Sequence, residues 1–287
     1  AMLAACSTPR PQLSRGAEVV STVVPITLFT RAVAGDCVTV AELIPPALGP
    51  HDFQARPSDL AVLRQARVLV NNGLGLEGFL SRMITAAGNP QLLVIDSSRG
   101  VAPLAASGHD HDHGEVNPHI WLDPLRASAQ VAAIRDGLIK ADPACADGYR
   151  RNAQAYIEQL MALDREFAAQ LKPYRGKTFV AFHDVAPYFA ERYGLKGVYL
   201  VDVPARNPSP ADLQRVMAAV KRSQLKALLS EPQQGQRTFN ALAQDLGVSI
   251  SVFDPLERAD PAATRDPQTY FKVMRSNVAN LLKALQG

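Results

Sequence analysis

Short runs of β-branched and aliphatic residues alternate with helical patterns along the whole 287-residue chain. This alternation is typical of β-α-β units, in which helices connect the strands of a parallel sheet. The predicted strands cover 19–24, 38–43, 68–71 and 92–95 in the first half, and 178–181, 198–201, 227–229 and 248–253 in the second. We therefore predict an α/β protein with two pseudo-symmetric lobes, each a four-stranded parallel sheet with flanking helices.

A long amphipathic pattern separates the two halves. Apolar residues recur at steps of three or four from Tyr149 to Leu171, between Pro143 and Pro173. This spacing predicts one helix that buries a single stripe against both lobes. A helical connector flexes less than a pair of extended strands, so we expect a rigid linker. The predicted organisation is a lipoprotein signal remnant and tether at 1–16, an N-terminal lobe at 17–143, a linker helix at 144–174 and a C-terminal lobe at 175–287.

The composition is that of an ordinary folded protein. Hydrophobic residues make up 47% of the chain and charged residues 20%, which provides enough apolar material for packed cores. The 30 basic and 27 acidic side chains are distributed along the sequence, without a basic run interleaved with aromatic residues. We therefore expect no nucleic-acid partner, and we expect a monomer.

The first residues are similar to the end of a lipoprotein signal. Leu3, Ala4 and Ala5 precede Cys6, the residue that would be acylated after cleavage, and residues 7–15 would form a polar tether. Later stretches fall short of the ~20 apolar residues of a membrane span, so we expect an extracytoplasmic protein anchored to a membrane by lipid alone. A chance match near the terminus is the alternative.

Two further cysteines, Cys37 and Cys145, leave two possibilities open. An oxidising compartment permits them to form a disulfide, and each could equally be a small buried apolar residue. Their sequence positions do not decide between the two.

Three histidines stand singly after predicted strands, at His51, His119 and His183. Asp254 follows the last predicted strand in the same way. The carboxyl ends of parallel strands form the crevice where open α/β sheets bind ligands. We therefore expect these four side chains to meet between the lobes, with two from each lobe.

The donor types predict the metal. Three imidazole nitrogens and one carboxylate oxygen form a tetrahedral set suited to Zn²⁺, whereas Mn²⁺ prefers more oxygen ligands. Pro50 and Pro118 fix the backbone φ angle immediately before two of the histidines and stiffen their loops. Asp254 precedes Pro255 and could instead begin a turn, which would leave the fourth position to a water molecule.

Two accessory roles are predicted. His109, His111 and His113 alternate with aspartates between glycines, which indicates a surface loop that either collects Zn²⁺ for the main site or is simply solvated. Glu231 stands near a strand end, where it could orient a metal ligand or take part in loop hydrogen bonding.

Five motifs in order resemble a known family, the cluster A-I zinc and manganese solute-binding proteins of bacterial ABC importers. They occupy 45–59, 117–124, 182–195, 230–233 and 254–256, and the resemblance runs from about Glu18 to the C-terminal helix. It departs from the family pattern at 47–49, where Ala-Leu-Gly follows Pro-Pro. Members of this family that bind manganese usually carry glutamate at the third ligand, and this chain carries His183.

The resemblance implies high-affinity capture of zinc outside the cytoplasm and its delivery to an ABC-type membrane permease. The alternatives within the same fold are a manganese or iron carrier and a surface adhesin. A zinc-dependent hydrolase is a further alternative, disfavoured because four ligands would close the tetrahedron and because the His-Glu-x-x-His motif is missing from the sequence. We therefore expect a transport component and not an enzyme.

Overall fold

The computed structural model describes residues 18–106, 116–202, 207–232 and 236–286. Within these ranges eight strands form two four-stranded sheets in the orders β2-β1-β3-β4 and β6-β5-β7-β8, and every strand pair is parallel. The strands are β1 (Val19–Ser21), β2 (Val40–Glu42), β3 (Val68–Asn71), β4 (Leu93–Asp96), β5 (Thr178–His183), β6 (Lys196–Val201), β7 (Ala227–Ser230) and β8 (Ser249–Val252).

Helices flank both sheets and connect their strands. They are α1 (Val24–Ala34), α2 (Pro57–Gln65), α3 (Leu80–Ala87), α4 (Pro124–Ala141), α5 (Ala146–Leu171), α6 (Pro187–Tyr193), α7 (Pro210–Ser223), α8 (Gln236–Leu246) and α9 (Thr269–Gln286). Together with the two sheets, they confirm the predicted fold class.

The long helix predicted between the lobes is α5, which has 26 residues and is therefore about 39 Å long. Its apolar stripe, including Tyr149, Leu160 and Phe167, is buried as the spacing predicts. Short 3-10 turns at Pro143–Cys145 and Lys172–Tyr174 flank it, because each proline begins a turn that the α-helix does not continue. The first sheet falls inside 17–143 and the second inside 175–287, while the division into separate domains stays a prediction.

The core has three parts. A central cluster joins α5 to apolar side chains of both sheets, for example Val68 of β3 and Phe179 of β5. One outer cluster packs β1 and β3 against α2 and α3, and the other packs β5, β6 and β7 against α7 and α8. Each sheet is therefore covered on both faces, as parallel sheets require, and the shared central cluster holds the carboxyl ends of the strands in a common frame.

Element ends differ from the sequence predictions where proline starts a helix. β1 ends at Ser21 instead of residue 24, because Pro25 lies in the first turn of α1. Helix α2 also begins at a proline, Pro57, after an Arg56 cap. Ser209 caps α7, since its hydroxyl accepts from the backbone N–H of Asp212.

Cys37 and Cys145 form a disulfide with a Cα to Cα distance of 6.1 Å. The bond closes 108 residues of sequence and joins the segment after α1 to the residue that precedes α5. It settles the question that their sequence positions left open.

Among the helices that the structure describes, none is both long enough and apolar enough to cross a membrane.

Candidate metal centre

Four side chains from the carboxyl edges of the two sheets meet at one point: His51, His119, His183 and Glu257. His51 follows β2 and His119 follows β4, so the first sheet contributes two donors. His183 ends β5 and Glu257 follows β8, so the second sheet contributes the other two. The four side chains lie at corresponding positions because the strands of each sheet are parallel, so all carboxyl ends of a sheet lie at the same edge of it.

The donor atoms have the spacing of a tetrahedral metal site. Oε1 of Glu257 lies 3.0 Å from Nε2 of His51, 3.1 Å from Nε2 of His119 and 3.7 Å from Nε2 of His183. One donor atom from each of the four residues lies within 4.8 Å of all the others. Ligand atoms bound to zinc at about 2.0–2.1 Å in a tetrahedron stand about 3.3–3.4 Å apart, so the group would need only small movements to hold such an ion.

Two of the histidines are oriented by hydrogen bonds at Nδ1. Nδ1 of His119 donates to Oδ1 of Asn117 over 2.9 Å, and Nδ1 of His183 donates to a carboxylate oxygen of Glu231. A proton on Nδ1 leaves Nε2 with the lone pair that a metal requires. Nε2 of His183 is buried without a hydrogen bond of its own, as expected of an atom that can serve as a metal ligand.

Within the donor cluster, His183 and Glu257 shift each other's pKa values in favour of the charged forms. Burial lowers the pKa of His183, but the Glu231 and Glu257 carboxylates outweigh it and raise that pKa to about 10. Burial likewise opposes ionisation of Glu257, yet the imidazoles of His51 and His183 hold the pKa of its carboxyl well below its usual value. Burial lowers the pKa of the His119 imidazole, with Glu257 acting in the opposite direction. The carboxylates of Glu231 and Glu257 therefore favour positive charge at His183, which either a proton or a bound cation would supply.

The structure does not place Asp254 among the four donors. Glu257 occupies the position that the sequence led us to expect for Asp254. Oδ1 of Asp254 accepts from the backbone N–H of Leu256 over 2.8 Å, so Asp254 makes the turn that was the alternative for this residue. Leu256 has φ of +59°, a left-handed conformation that redirects the chain. The side chain that reaches the histidines is therefore that of Glu257. The sequence does contain one signal for this donor, because Glu257 is a second carboxylate only three positions after Asp254.

The loop that carries Glu257 is fixed by contacts with both of the N-terminal ligand loops. Nε1 of Trp121, two residues after His119, donates to the Pro255 carbonyl over 2.8 Å. The backbone N–H of Ala259 donates to the Pro46 carbonyl over 2.8 Å, in the loop that leads to His51. These bonds cross between the halves of the chain, so they set the distance between the donors of the two sheets. Trp121 is fully buried and its ring packs against that of His119.

A buried polar network supports the His119 loop from below. Nδ2 of Asn72 donates to the Pro118 carbonyl over 2.9 Å, and Oδ1 of Asn72 accepts from Gln130 over 3.0 Å. Glu77 in turn accepts from the backbone N–H of Asn72 and from the hydroxyl of Thr22. Burial raises the pKa of Glu77, and these hydrogen bonds oppose the shift. The network satisfies polar groups that would be costly to bury alone, and it holds the loop against β3.

Glu231 is not one of the four donors, but it accepts a hydrogen bond from Nδ1 of His183, which is one of them. A residue in this position would orient a metal-bound histidine. His109, His111 and His113 lie outside the described residues, and so does Cys6. The accessory zinc loop and the lipidation site therefore stay predictions from the sequence.

The two lobes and the donor cluster between them define the class of protein, which is that of solute-binding proteins with a candidate metal site between two lobes. The chain belongs to the family described as zinc-uptake complex component A, periplasmic, whose model matches residues 19–284. The match covers both sheets and all four donors.

Individual relatives show the same likeness. The zinc-binding lipoprotein AdcA of Streptococcus pneumoniae is 32% identical over 294 residues, which cover 99% of this chain. The chain spans only 58% of the length of that relative. The high-affinity zinc uptake system protein ZnuA of Bacillus subtilis is 28% identical over 299 residues, with coverage of 99% of this chain and 94% of the relative.

The comparison of structures gives the same result. The Zn(II)-bound ZnuA-like domain of Streptococcus pneumoniae AdcA matches with a TM-score of 0.81 at 29% identity. The match covers 95% of this chain and all of that domain. The fold described above is therefore that of the ZnuA-like part of its longer relative.

Proposed function

We propose that this protein captures one Zn²⁺ ion with His51, His119, His183 and Glu257 and delivers it to an ABC-type membrane permease. The observation that carries the proposal is the arrangement of three Nε2 atoms at 3.0–3.7 Å around one oxygen of Glu257. This donor set matches the nitrogen and oxygen preference of zinc in number and type. The zinc-uptake family and the Zn(II)-bound relative support the choice of ion.

The site has the design of a carrier. Three donors are nearly or fully buried, and 10% of the His51 side chain is exposed. His51 is therefore the donor closest to solvent, and its loop is the one whose movement would open the site. A carrier must both hold and release its ion, and displacement of one loop or protonation of the imidazoles would achieve release.

The proposed location is extracytoplasmic, with a lipid anchor on Cys6 and a permease as the partner. The periplasmic family and the lipoprotein relative support the location and the class of partner. The disulfide between Cys37 and Cys145 is also in keeping with an oxidising compartment. We further propose that the chain acts as a monomer with the domain boundaries predicted above, and that the histidine loop at 109–113 collects zinc.

Calorimetric titration of the metal-stripped chain with Zn²⁺ tests the proposal. We expect one tight site per chain, and a loss of affinity of at least ~100-fold in His183→Ala, because the remaining donors cannot close the tetrahedron. Arg151→Ala, on the exposed side of α5, is the matched control and should bind as the parent does. Equal zinc affinity in the parent and in His183→Ala would contradict the proposal.

A manganese or iron cargo is the main competitor and needs a separate measurement. Zinc outcompetes manganese at almost any nitrogen-rich site, so a competition titration would favour zinc whichever metal the protein carries in the cell. The metal content of protein purified from cells without added metal decides between them. Manganese or iron as the predominant bound metal would overturn the zinc assignment. Zinc-dependent hydrolysis of an ester substrate, lost in His119→Ala, would instead support the hydrolase alternative.

A further inference from the structure

Exposed basic side chains gather at the amino edge of the second sheet, opposite the donor cluster. Lys177 immediately precedes β5, Lys196 opens β6 and Lys226 immediately precedes β7. The three are neighbours in space, because the backbone N–H of Lys196 donates to the Lys177 carbonyl over 2.9 Å and β7 pairs with β5. Parallel strands place their amino ends at one edge and their carboxyl ends at the other. These lysines therefore lie at the far edge of the sheet from His183.

Further cations come from the elements that end at this edge. Lys221 and Arg222 lie in the last turn of α7, Lys283 lies in the last turn of α9, and Lys172 and Arg175 lie between α5 and β5. We call the complete set the basic pole: Lys172, Arg175, Lys177, Lys196, Lys221, Arg222, Lys226 and Lys283. All eight side chains are exposed, and none forms an ion pair with a carboxylate of the described residues.

The basic pole carries more positive charge than the chain as a whole. Its eight cations compare with a formal net charge of only +3 for the complete sequence. Lysines in the last turn of a helix also stabilise that helix through its dipole, which accounts for Lys221 and Lys283. It does not account for Lys177, Lys196 or Lys226, which stand at strand starts. A surface with a one-sided field of this kind attracts extended anionic partners.

A cleft of about 620 Å³ opens within the basic pole. Lys177, Lys221 and Lys226 line it together with four partly exposed aliphatic side chains: Met217, Leu246, Val248 and Leu285. Asp245 is the one acidic residue that lines it, and the described lining contains no aromatic side chain. Cations beside aliphatic groups fit a ligand that is both anionic and apolar.

Two other classes of ligand fit this surface less well. Single-stranded nucleic acid is bound by stacking on aromatic rings, and the cleft has none. A small free anion would lie against the carbonyl ends of α7 and α9, whose dipoles disfavour negative charge. An extended anionic surface meets the same helix ends, but it interacts with several of the cations at once, and their summed attraction exceeds this cost.

We propose that the basic pole docks on an anionic phospholipid surface. Headgroup phosphates would contact Lys177, Lys221 and Lys226, while the glycerol and upper acyl region would cover the aliphatic lining of the cleft. The donor cluster lies at the opposite edge of the same sheet and would face away from the lipid. This contact does not depend on the metal or on acylation. It would hold a tethered carrier at the membrane between deliveries, and it must be released before the donor cluster can face a permease.

Vesicle sedimentation tests the proposal on the full chain carrying Cys6→Ser, which removes any acyl chain. We expect binding to vesicles of phosphatidylglycerol and phosphatidylcholine in equal parts, no binding to vesicles of phosphatidylcholine alone, and release at high salt. Lys177→Glu, Lys221→Glu and Lys226→Glu combined should weaken binding by at least ~100-fold. The matched control is Arg64→Glu, Arg82→Glu and Lys140→Glu, three exposed cations elsewhere with the same change in net charge. The control should stay within about threefold of the parent.

Zinc titration checks that the variants are folded, because the donor cluster lies at the opposite edge of the sheet. If the charge-reversed variant loses zinc binding, the three Lys→Gln substitutions replace it, with an expected loss of lipid binding of about 10-fold. Equal binding to both kinds of vesicle, or equal weakening in the pole variant and the control, would overturn the proposal. Retention on immobilised nucleic acid or heparin without vesicle binding would assign the pole to an anionic polymer and would overturn it as well.

Discussion

Oε1 of Glu257 lies 3.1 Å from Nε2 of His119, although 138 positions separate the two residues in the chain. The contact joins the loop after β8 to the loop after β4, and it is one of three that Glu257 makes with the histidines. A single carboxylate oxygen therefore draws together donors from both sheets. This oxygen favours positive charge at His183, and in a zinc complex it would balance the ion.

Glu257→Gln should lower zinc affinity by at least ~100-fold, because an amide oxygen carries no charge to offset the ion. Asp254→Asn is the informative comparison, since Asp254 was the carboxylate expected from the sequence and here accepts a backbone hydrogen bond. An amide oxygen can still accept that bond, so Asp254→Asn should bind zinc within about tenfold of the parent. Calorimetry with a competing chelator measures both. A larger loss in Asp254→Asn than in Glu257→Gln would return the ligand role to Asp254.

Glu231→Gln should lower zinc affinity by about 10–100-fold, although Glu231 is not one of the four donors. Glu231 accepts the Nδ1 proton of His183 and so orients the ring and strengthens Nε2 as a ligand. The substitution should also lower the pKa of His183 in the metal-free protein, which an NMR titration of the ring protons can follow. Glu158→Gln on the exposed side of α5 is the control. An unchanged His183 pKa in Glu231→Gln would exclude this role.

Zinc binding near neutral pH should release about one proton per ion, and it should come from His183. The Glu231 and Glu257 carboxylates raise the pKa of His183 to about 10 against the effect of burial, so the residue is protonated before zinc arrives. Because the ion must displace this proton, apparent affinity should rise by about tenfold per pH unit up to that pKa and fall as pH decreases. Calorimetry in two buffers with different ionisation enthalpies gives the proton count. Affinity that stays constant between about pH 6 and pH 8 would show that His183 is not protonated before zinc binds.

Removal of the disulfide should lower stability without affecting the metal. The bond between Cys37 and Cys145 closes 108 residues, so the double substitution Cys37→Ser and Cys145→Ser should lower the free energy of unfolding by about 4 kcal/mol. Thermal unfolding with and without reductant measures the effect, and the double variant should be insensitive to the reductant. Zinc affinity should be unchanged, since neither cysteine belongs to the donor group. A reductant-independent Tm in the parent protein would show that the bond does not form.

The sequence by itself determined the fold class and pointed to the three histidines of the candidate site. Alternating strand and helix patterns report burial on a local scale, so the two parallel sheets and the stripe of α5 could be predicted from spacing alone. His51, His119 and His183 could be identified because each follows a predicted strand, and strand order along the chain specifies which edge those positions share.

Only the tertiary structure revealed the fourth candidate donor, the disulfide and the basic pole. Asp254 and Glu257 are three residues apart, and the left-handed turn at Leu256 determines which carboxylate faces the histidines. Cys37 and Cys145 pair because α1 and α5 pack together across 108 residues of chain. The lysines of the basic pole are scattered from 172 to 283 and form no run in the sequence. Each of these features depends on long-range packing, which the local pattern of a sequence does not contain.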